Sequence, residues 1–149
     1  GDRKWRAVLV GDGPARAEIE GLMAPFGERV EFAGAVGIGK LASLYASADL
    51  YVWPAINEAY GMAFLEAQAA GLPVVAGRTG GVPAVVADGI AGILTPIGDA
   101  TAFAGAVARL LDCPDERARL GEQAARRVAR HHSDAAAARV LAAALRTLQ

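Results

Sequence analysis

The chain has 149 residues, of which 54% are hydrophobic, and its formal net charge is -1. This size and composition predict one compact domain, residues 1–149, with an ordinary buried core. No basic stripe could neutralise a run of phosphates, so nucleic acid is not expected as a partner. The one cysteine, Cys113, excludes an internal disulfide, and no apolar run is long enough to cross a bilayer. A cytoplasmic protein is expected, with peripheral contact at the inner membrane face as the alternative.

The first two thirds of the chain alternate short apolar runs with segments of helical spacing. The apolar runs, which are typical of strands buried on both faces of a parallel sheet, are residues 7–10, 30–33, 50–53, 73–76 and 92–94. The helical segments are residues 15–23, 40–47, 63–70 and 82–87. This alternation predicts an α/β fold, a Rossmann-like parallel sheet with helices on both faces.

No strand pattern follows residue 99. Alanine- and arginine-rich stretches at residues 101–111, 114–130 and 133–148 predict a helical tail. Pro114 suits a first helical turn, and Ser133 suits an N-cap.

The loops that follow the predicted strands are rich in glycine. Ligands of open parallel sheets bind beyond the carboxyl ends of the strands, so these loops are the candidate binding loops. The first begins at Gly11 like a dinucleotide fingerprint, but Arg16 stands where close helix packing needs glycine or alanine, and NAD binding is therefore a weak interpretation.

Glu66 lies within a predicted helix that is apolar nearly all round, which predicts that the helix is buried. A buried carboxylate needs a partner. The side chain leans toward the helix N-terminus, where free N–H groups beside Gly61 suit a phosphate, and Glu58 can reach the same space. Two interpretations stay open from the residues alone: a ligand site, or Glu66 paired with an arginine and Glu58 solvated.

Five motifs occur in one order and spacing: ADLYVWP at 48–54, the Glu58-x7-Glu66 pair, GLPVVA at 71–76, GGVP at 80–83 and DGIAG at 88–92. Together they resemble the group 1 family of retaining GT-B glycosyltransferases, and the resemblance extends from residue 8 to residue 124. It implies the C-terminal, nucleotide-sugar-binding half of the GT-B fold. It further implies transfer of a hexose from a nucleoside-diphosphate sugar, with UDP or GDP most expected and no metal or cofactor required.

The resemblance also implies roles for matching positions. Glu58 would face the transferred sugar as the catalytic carboxylate, and Glu66 would hold the ribose hydroxyls. Other implied donor-binding positions are the amides of Tyr60, Gly61 and Met62, the base loop at Val36, and the pocket-shaping Gly80 and Gly81. We add Gly11 and Arg78 from their strand-following loops, with plain solvation of Arg78 as the alternative.

The chain departs from the family pattern at Ala59, where glycine is frequent, and at Ala84, where glutamate is frequent. The family domain also begins one strand and one helix earlier, with the cations that neutralise the diphosphate. We therefore expect an N-terminally truncated, inactive fragment, with the sugar, lipid or small-molecule acceptor bound by a missing domain. In a 3-2-1-4-5-6 sheet the missing strand is the central one, and its loss invites strand exchange or dimerisation. A GT-B-fold sugar-nucleotide epimerase and a noncatalytic binding module are the alternatives.

Overall fold

The computed structural model describes residues 3–146. The chain divides into two compact units, with the division between Leu44 and Tyr45.

The first unit contains a pair of parallel strands with a helical connection. Its elements are β1 (Ala7–Val10), α1 (Arg16–Met23), a 3-10 helix (Ala24–Arg29), β2 (Val30–Gly34) and the start of α2 (Ile38–Ser47). Ala7 lies opposite Val30, and the register shifts after Leu9. Within residues 3–44 the side chains are half-buried or exposed, so this unit has no fully buried core residue of its own.

The second unit contains a three-stranded parallel sheet in the order β3-β4-β5. Its elements, after the last turn of α2, are β3 (Tyr51–Trp53), α3 (Met62–Ala69), β4 (Val74–Gly77), α4 (Val82–Val85), β5 (Gly92–Thr95), α5 (Ala100–Asp112), α6 (Pro114–His131) and α7 (Asp134–Arg146). Tyr51 lies opposite Val74, which in turn lies opposite Gly92.

The buried core of the second unit lies on both faces of β4, all four of whose residues are buried. Val74 and Ala76 belong to a cluster with residues of α3 and α4, which include Phe64. Val75 belongs to a second cluster with Leu110 of α5 and a residue of α6. Alternate side chains of a strand point to opposite faces, so this division places helices on both sides of the sheet.

The predicted fold class is confirmed, and every predicted strand and helix is present within two residues of its predicted ends. β1 and β2 form one sheet, and β3, β4 and β5 form a separate one. This is the pairing that the predicted strand order gives without its central strand. Pro114 does begin α6, and the Ser133 hydroxyl accepts a hydrogen bond from the Ala136 N–H at 3.2 Å. Residues 147 and 148 of the predicted last helix lie outside the described residues.

The expectation that every strand is buried on both faces is wrong for the strands other than β4 and β5. In β1 half-buried and exposed residues alternate, and Val52 and Trp53 of β3 are exposed. A short apolar run looks the same whether one face is covered or two, so the sequence could not separate these cases. None of the helices within residues 3–146 is long and apolar enough to cross a membrane.

Candidate functional site

The loops that follow β3 and β4 are in direct contact. The Gly81 N–H donates a hydrogen bond to the Ala59 carbonyl oxygen at 3.0 Å. Gly80 has a φ of +44°, and a Cβ there would lie 2.5 Å from the Glu58 carbonyl oxygen. Only glycine combines this backbone conformation with so close an approach. The structure therefore brings Gly80 and Gly81 against the segment that carries Glu58.

Gly61 is the N-cap of α3, with a φ of +89°. A Cβ at this position would overlap the ring of Phe64, so the helix start itself requires glycine. The role that the resemblance implies for the Gly61 amide in donor binding stays a prediction. The Phe64 N–H donates to the Gly61 carbonyl oxygen at 3.0 Å, whereas the Met62 N–H has no acceptor within the helix and lies at its positive end. This helix start can receive an anion, and the exposed side chains of Tyr60 and Met62 border it.

Ala55, in the same loop, was not singled out from the sequence. It has a φ of +55°, which is uncommon for a residue with a Cβ, and its side chain is buried. Such strained backbone conformations gather at ligand sites, where the surrounding structure holds them in place. No residue-type signal marks this position, because alanine has no special preference for positive φ.

Glu66 is exposed, and the expectation of a buried carboxylate is therefore wrong. The sequence of this helix is apolar because it is rich in alanine, and alanine is tolerated at exposed positions as well as at buried ones. Ala69 in the same helix is exposed too. The side chain has a partner, but it is not an arginine: the Tyr45 hydroxyl donates a hydrogen bond to Glu66 Oε2 at 3.2 Å.

Three aromatic rings form a row that includes Tyr45, the partner of Glu66. The ring centroids of Tyr45 and Tyr51 are 6.0 Å apart, and those of Tyr51 and Phe64 are 5.7 Å apart with the rings edge to face. Burial raises the pKa of Tyr51, and the negative charges of Glu58 and Glu66 raise it further. Both carboxylates therefore act on one tyrosine. Sequence analysis missed Tyr45, although Tyr51 lies within the ADLYVWP motif.

Arg78 forms an ion pair with Asp88. The second oxygen of this carboxylate accepts a hydrogen bond from the Leu94 N–H at 2.9 Å. Asp88 thus ties the loop after β4 to β5. The guanidinium is half-exposed, and its assignment as a donor ligand stays a prediction.

Gln68 is a third residue that sequence analysis missed. It is fully buried in α3, and its amide nitrogen donates to the Phe64 carbonyl oxygen at 3.0 Å and the Val85 carbonyl oxygen at 3.1 Å. These bonds join α3 to the end of α4, the short helix that begins directly after Gly81. Gln68 therefore connects the two helices that follow the contacting loops.

Gly11 and Val36 lie in the first unit, apart in the chain from the residues above. Gly11 follows β1, and its N–H donates to the Gly34 carbonyl oxygen at 2.9 Å. Val36 lies two residues farther along the loop that follows β2 and is half-buried. The two predicted residues thus follow neighbouring parallel strands at the same edge of their sheet.

The arrangement in the second unit combines two kinds of recognition chemistry. Free N–H groups at the start of α3 suit a phosphate. Carboxylates accept hydrogen bonds from hydroxyl groups such as those of a sugar. Among residues 3–146 no group of three or more histidine, cysteine, aspartate or glutamate side chains could hold a metal ion, and the expectation that no metal is required stays a prediction.

Comparison with known proteins identifies the family. The family model described as "Glycosyl transferases group 1" matches residues 1–113. The chain belongs to the group 1 glycosyltransferases. The two contacting loops and both glutamates lie within the matched region.

This group 1 glycosyltransferase chain is 44% identical over 109 residues to D-inositol 3-phosphate glycosyltransferase 2 of Catenulispora acidiphila, an alignment that covers 73% of the chain and 26% of the relative. The chain thus spans about a quarter of the length of that curated relative.

Two solved structures are similar in fold. Sucrose-phosphate synthase from Thermosynechococcus elongatus has a TM-score of 0.82 and 34% identity, with 95% of this chain and 38% of that chain covered. HepE of Anabaena, solved in complex with UDP-glucose, has a TM-score of 0.81 and 25% identity, with 95% of this chain and 41% of that chain covered. These likenesses agree with the GT-B fold that the motifs imply.

Proposed function

We propose that this chain supplies the donor site for a nucleoside-diphosphate sugar in a retaining hexosyl transfer. The observation that carries the proposal is the contact between the loops after β3 and β4 at the start of α3, with Glu58 in one loop and Glu66 on the helix. The family match supports a transferase over the epimerase that shares the fold. The sugar-nucleotide complex of HepE supports a donor of this class.

In this proposal each part of the site has one task. The N–H groups at Gly61 and Met62 receive the diphosphate, because they have no acceptor within the helix and lie at its positive end. Glu66 accepts hydrogen bonds from the ribose hydroxyls. Glu58 faces the transferred sugar, where its charge contributes more as the glycosidic bond breaks.

The proposed catalysis depends on orientation and on stabilising the departing diphosphate, without a metal ion. UDP or GDP is the leaving nucleotide that we propose, and the acceptor is a sugar, lipid or small molecule held outside this chain. The name of the Catenulispora acidiphila relative supports a hydroxylated, phosphorylated acceptor as one class to test. The reaction takes place in the cytoplasm or at the inner face of the membrane.

A thermal-shift panel followed by calorimetry tests the donor site. UDP, GDP and ADP are each compared with their glucose conjugates and with inorganic phosphate, because a ligand that binds the folded state raises its stability. We expect one nucleoside diphosphate to raise the melting temperature and phosphate alone to leave it unchanged. If none of the three nucleotides binds at millimolar concentration while the chain is folded, the donor-site proposal is wrong.

A further inference from the structure

The ring of Tyr45 is held in place by its neighbours. It lies in the last turn of α2, and it contacts Tyr51, whose ring in turn packs edge to face against Phe64 of α3. Phe64 is fully buried, so this row of rings is anchored in the core. The position of the Tyr45 hydroxyl is therefore fixed before any ligand arrives.

Glu66, by contrast, is an exposed side chain with several rotatable bonds, and ordering such a side chain costs entropy. Its Oε2 accepts the hydrogen bond from the Tyr45 hydroxyl at 3.2 Å. A carboxylate has roughly four acceptor positions on its two oxygens. A single bond from a fixed donor thus orients the group and leaves acceptor positions for a ligand.

The hydroxyl keeps its proton for this task. Burial raises the pKa of Tyr45 well above its usual range, with further contributions from Tyr51 and Glu66. The phenol is therefore neutral at physiological pH and donates to the carboxylate.

We propose that Tyr45 is a positioning residue, whose hydroxyl holds the Glu66 carboxylate in the orientation that receives the ribose hydroxyls of the donor. The inference rests on the proposed function, because it gives Glu66 a ribose to bind. Preorganising an acceptor lowers the entropy that the ligand must offset, so the hydroxyl strengthens binding without touching the nucleotide.

The first test needs no ligand. Side-chain coupling constants measured by NMR report the χ1 rotamers of Glu66 in the wild-type chain and in Tyr45→Phe. We expect one dominant rotamer in the wild type and averaging in the variant, with the fold of both checked by circular dichroism. Equal averaging in the two proteins would overturn the proposal, whatever nucleotide the chain binds.

The second test asks whether the effect is specific to the ribose. Calorimetry compares UDP with 2′,3′-dideoxy-UDP, which lacks both hydroxyls. Tyr45→Phe should lower the affinity for UDP about five- to tenfold and leave that for the dideoxy compound unchanged. Ser43→Ala is the matched control, since it removes a hydroxyl from the same helix, where it donates to the Gly39 carbonyl oxygen, and we expect less than about a twofold change.

The outcomes distinguish the positioning role of Tyr45 from the proposed donor-binding function. An equal loss for both ligands, or an equal loss in Ser43→Ala, would mean that the Tyr45 hydroxyl acts through packing of its helix and would overturn the positioning role. Failure of the wild-type chain to bind UDP, GDP or ADP would count against the proposed function, while the NMR comparison would still decide whether Tyr45 holds Glu66.

Discussion

At the scale of single residues, the two glutamates of the E-x7-E pair differ in their surroundings. Glu58 is half-buried in a loop whose backbone contacts Gly80, whereas Glu66 is exposed on a helix and bonded to Tyr45. We therefore expect Glu66 to act in binding, because the hydrogen bond from Tyr45 orients its carboxylate before the ligand arrives. The loop that carries Glu58 depends for its shape on contact with the loop that carries Gly80.

Glu66→Gln should weaken nucleotide binding. The substitution keeps the shape of the side chain but removes the charge that strengthens hydrogen bonds from the ribose hydroxyls, and a loss of roughly 1.5 kcal/mol corresponds to about tenfold in affinity. The control is Glu122→Gln on α6, an exposed carboxylate bonded to Arg126. Calorimetry measures the affinity of both variants for the free nucleoside diphosphate. If Glu66→Gln binds it as tightly as Glu122→Gln does, Glu66 is not part of the nucleotide site.

Stability should fall in alkaline solution because of Tyr45. Its pKa is raised in the folded chain from the ordinary value of 10.0, so the folded state keeps a proton that the unfolded state loses. The contribution of Tyr45 to the free energy of unfolding is fully present below pH 10 and is lost as the pH rises through the pKa of the folded state. The free energy of unfolding, measured in urea between pH 9 and about pH 11, should decline less steeply with pH in Tyr45→Phe than in the wild type. Equal declines in the two proteins would contradict this prediction.

Residue types predicted part of the site. The glutamates and glycines stand at fixed positions in a motif, so they could be found from the sequence. Tyr45 could not, because its hydrogen bond to Glu66 joins residues 21 positions apart in the chain. The exposure of Glu66 was also hidden, since alanine neighbours do not reveal which face of a helix is covered.

At the scale of elements, the site depends on two loops that fit only with glycine at their contact. Strand and helix positions followed from the spacing of apolar residues, and the predicted ends are close to the observed ones. The 3-10 helix at Ala24–Arg29 was missed, because its short turns have no apolar period. The contact between the loops was missed as well, since it joins residues about twenty positions apart in the chain.

Gly80→Ala should disturb both stability and binding. The new Cβ would meet the Glu58 carbonyl oxygen at 2.5 Å in a left-handed backbone conformation, and strain of this kind costs on the order of 1–3 kcal/mol. Displacement of the loop should also lower nucleotide affinity. Gly105→Ala in α5 is the control, because a Cβ there meets nothing within 4 Å.

Thermal unfolding and calorimetry measure the two glycine variants together. We expect the α5 variant to be as stable as the wild type or slightly more stable, as glycine is unfavourable inside a helix. If Gly80→Ala unfolds at the same temperature and binds equally well, the loop contact is not a requirement of the site.

At the scale of the whole molecule, the buried core lies in the second unit, around β4. That strand carries the Gly80 loop at its carboxyl end, and helices cover both of its faces. The fold class could be predicted because alternating strands and helices leave few arrangements. The division of the strands into two sheets followed from a family resemblance, since residue spacing alone does not state strand order.

Amide chemical shifts test where the donor binds. An isotope-labelled chain is titrated with the nucleoside diphosphate that binds best in the panel. We expect the largest shift changes at Gly61, Gly80 and Gly81. Changes concentrated instead in the cleft lined by Asp49 and Arg117, with those glycines unmoved, would contradict this expectation.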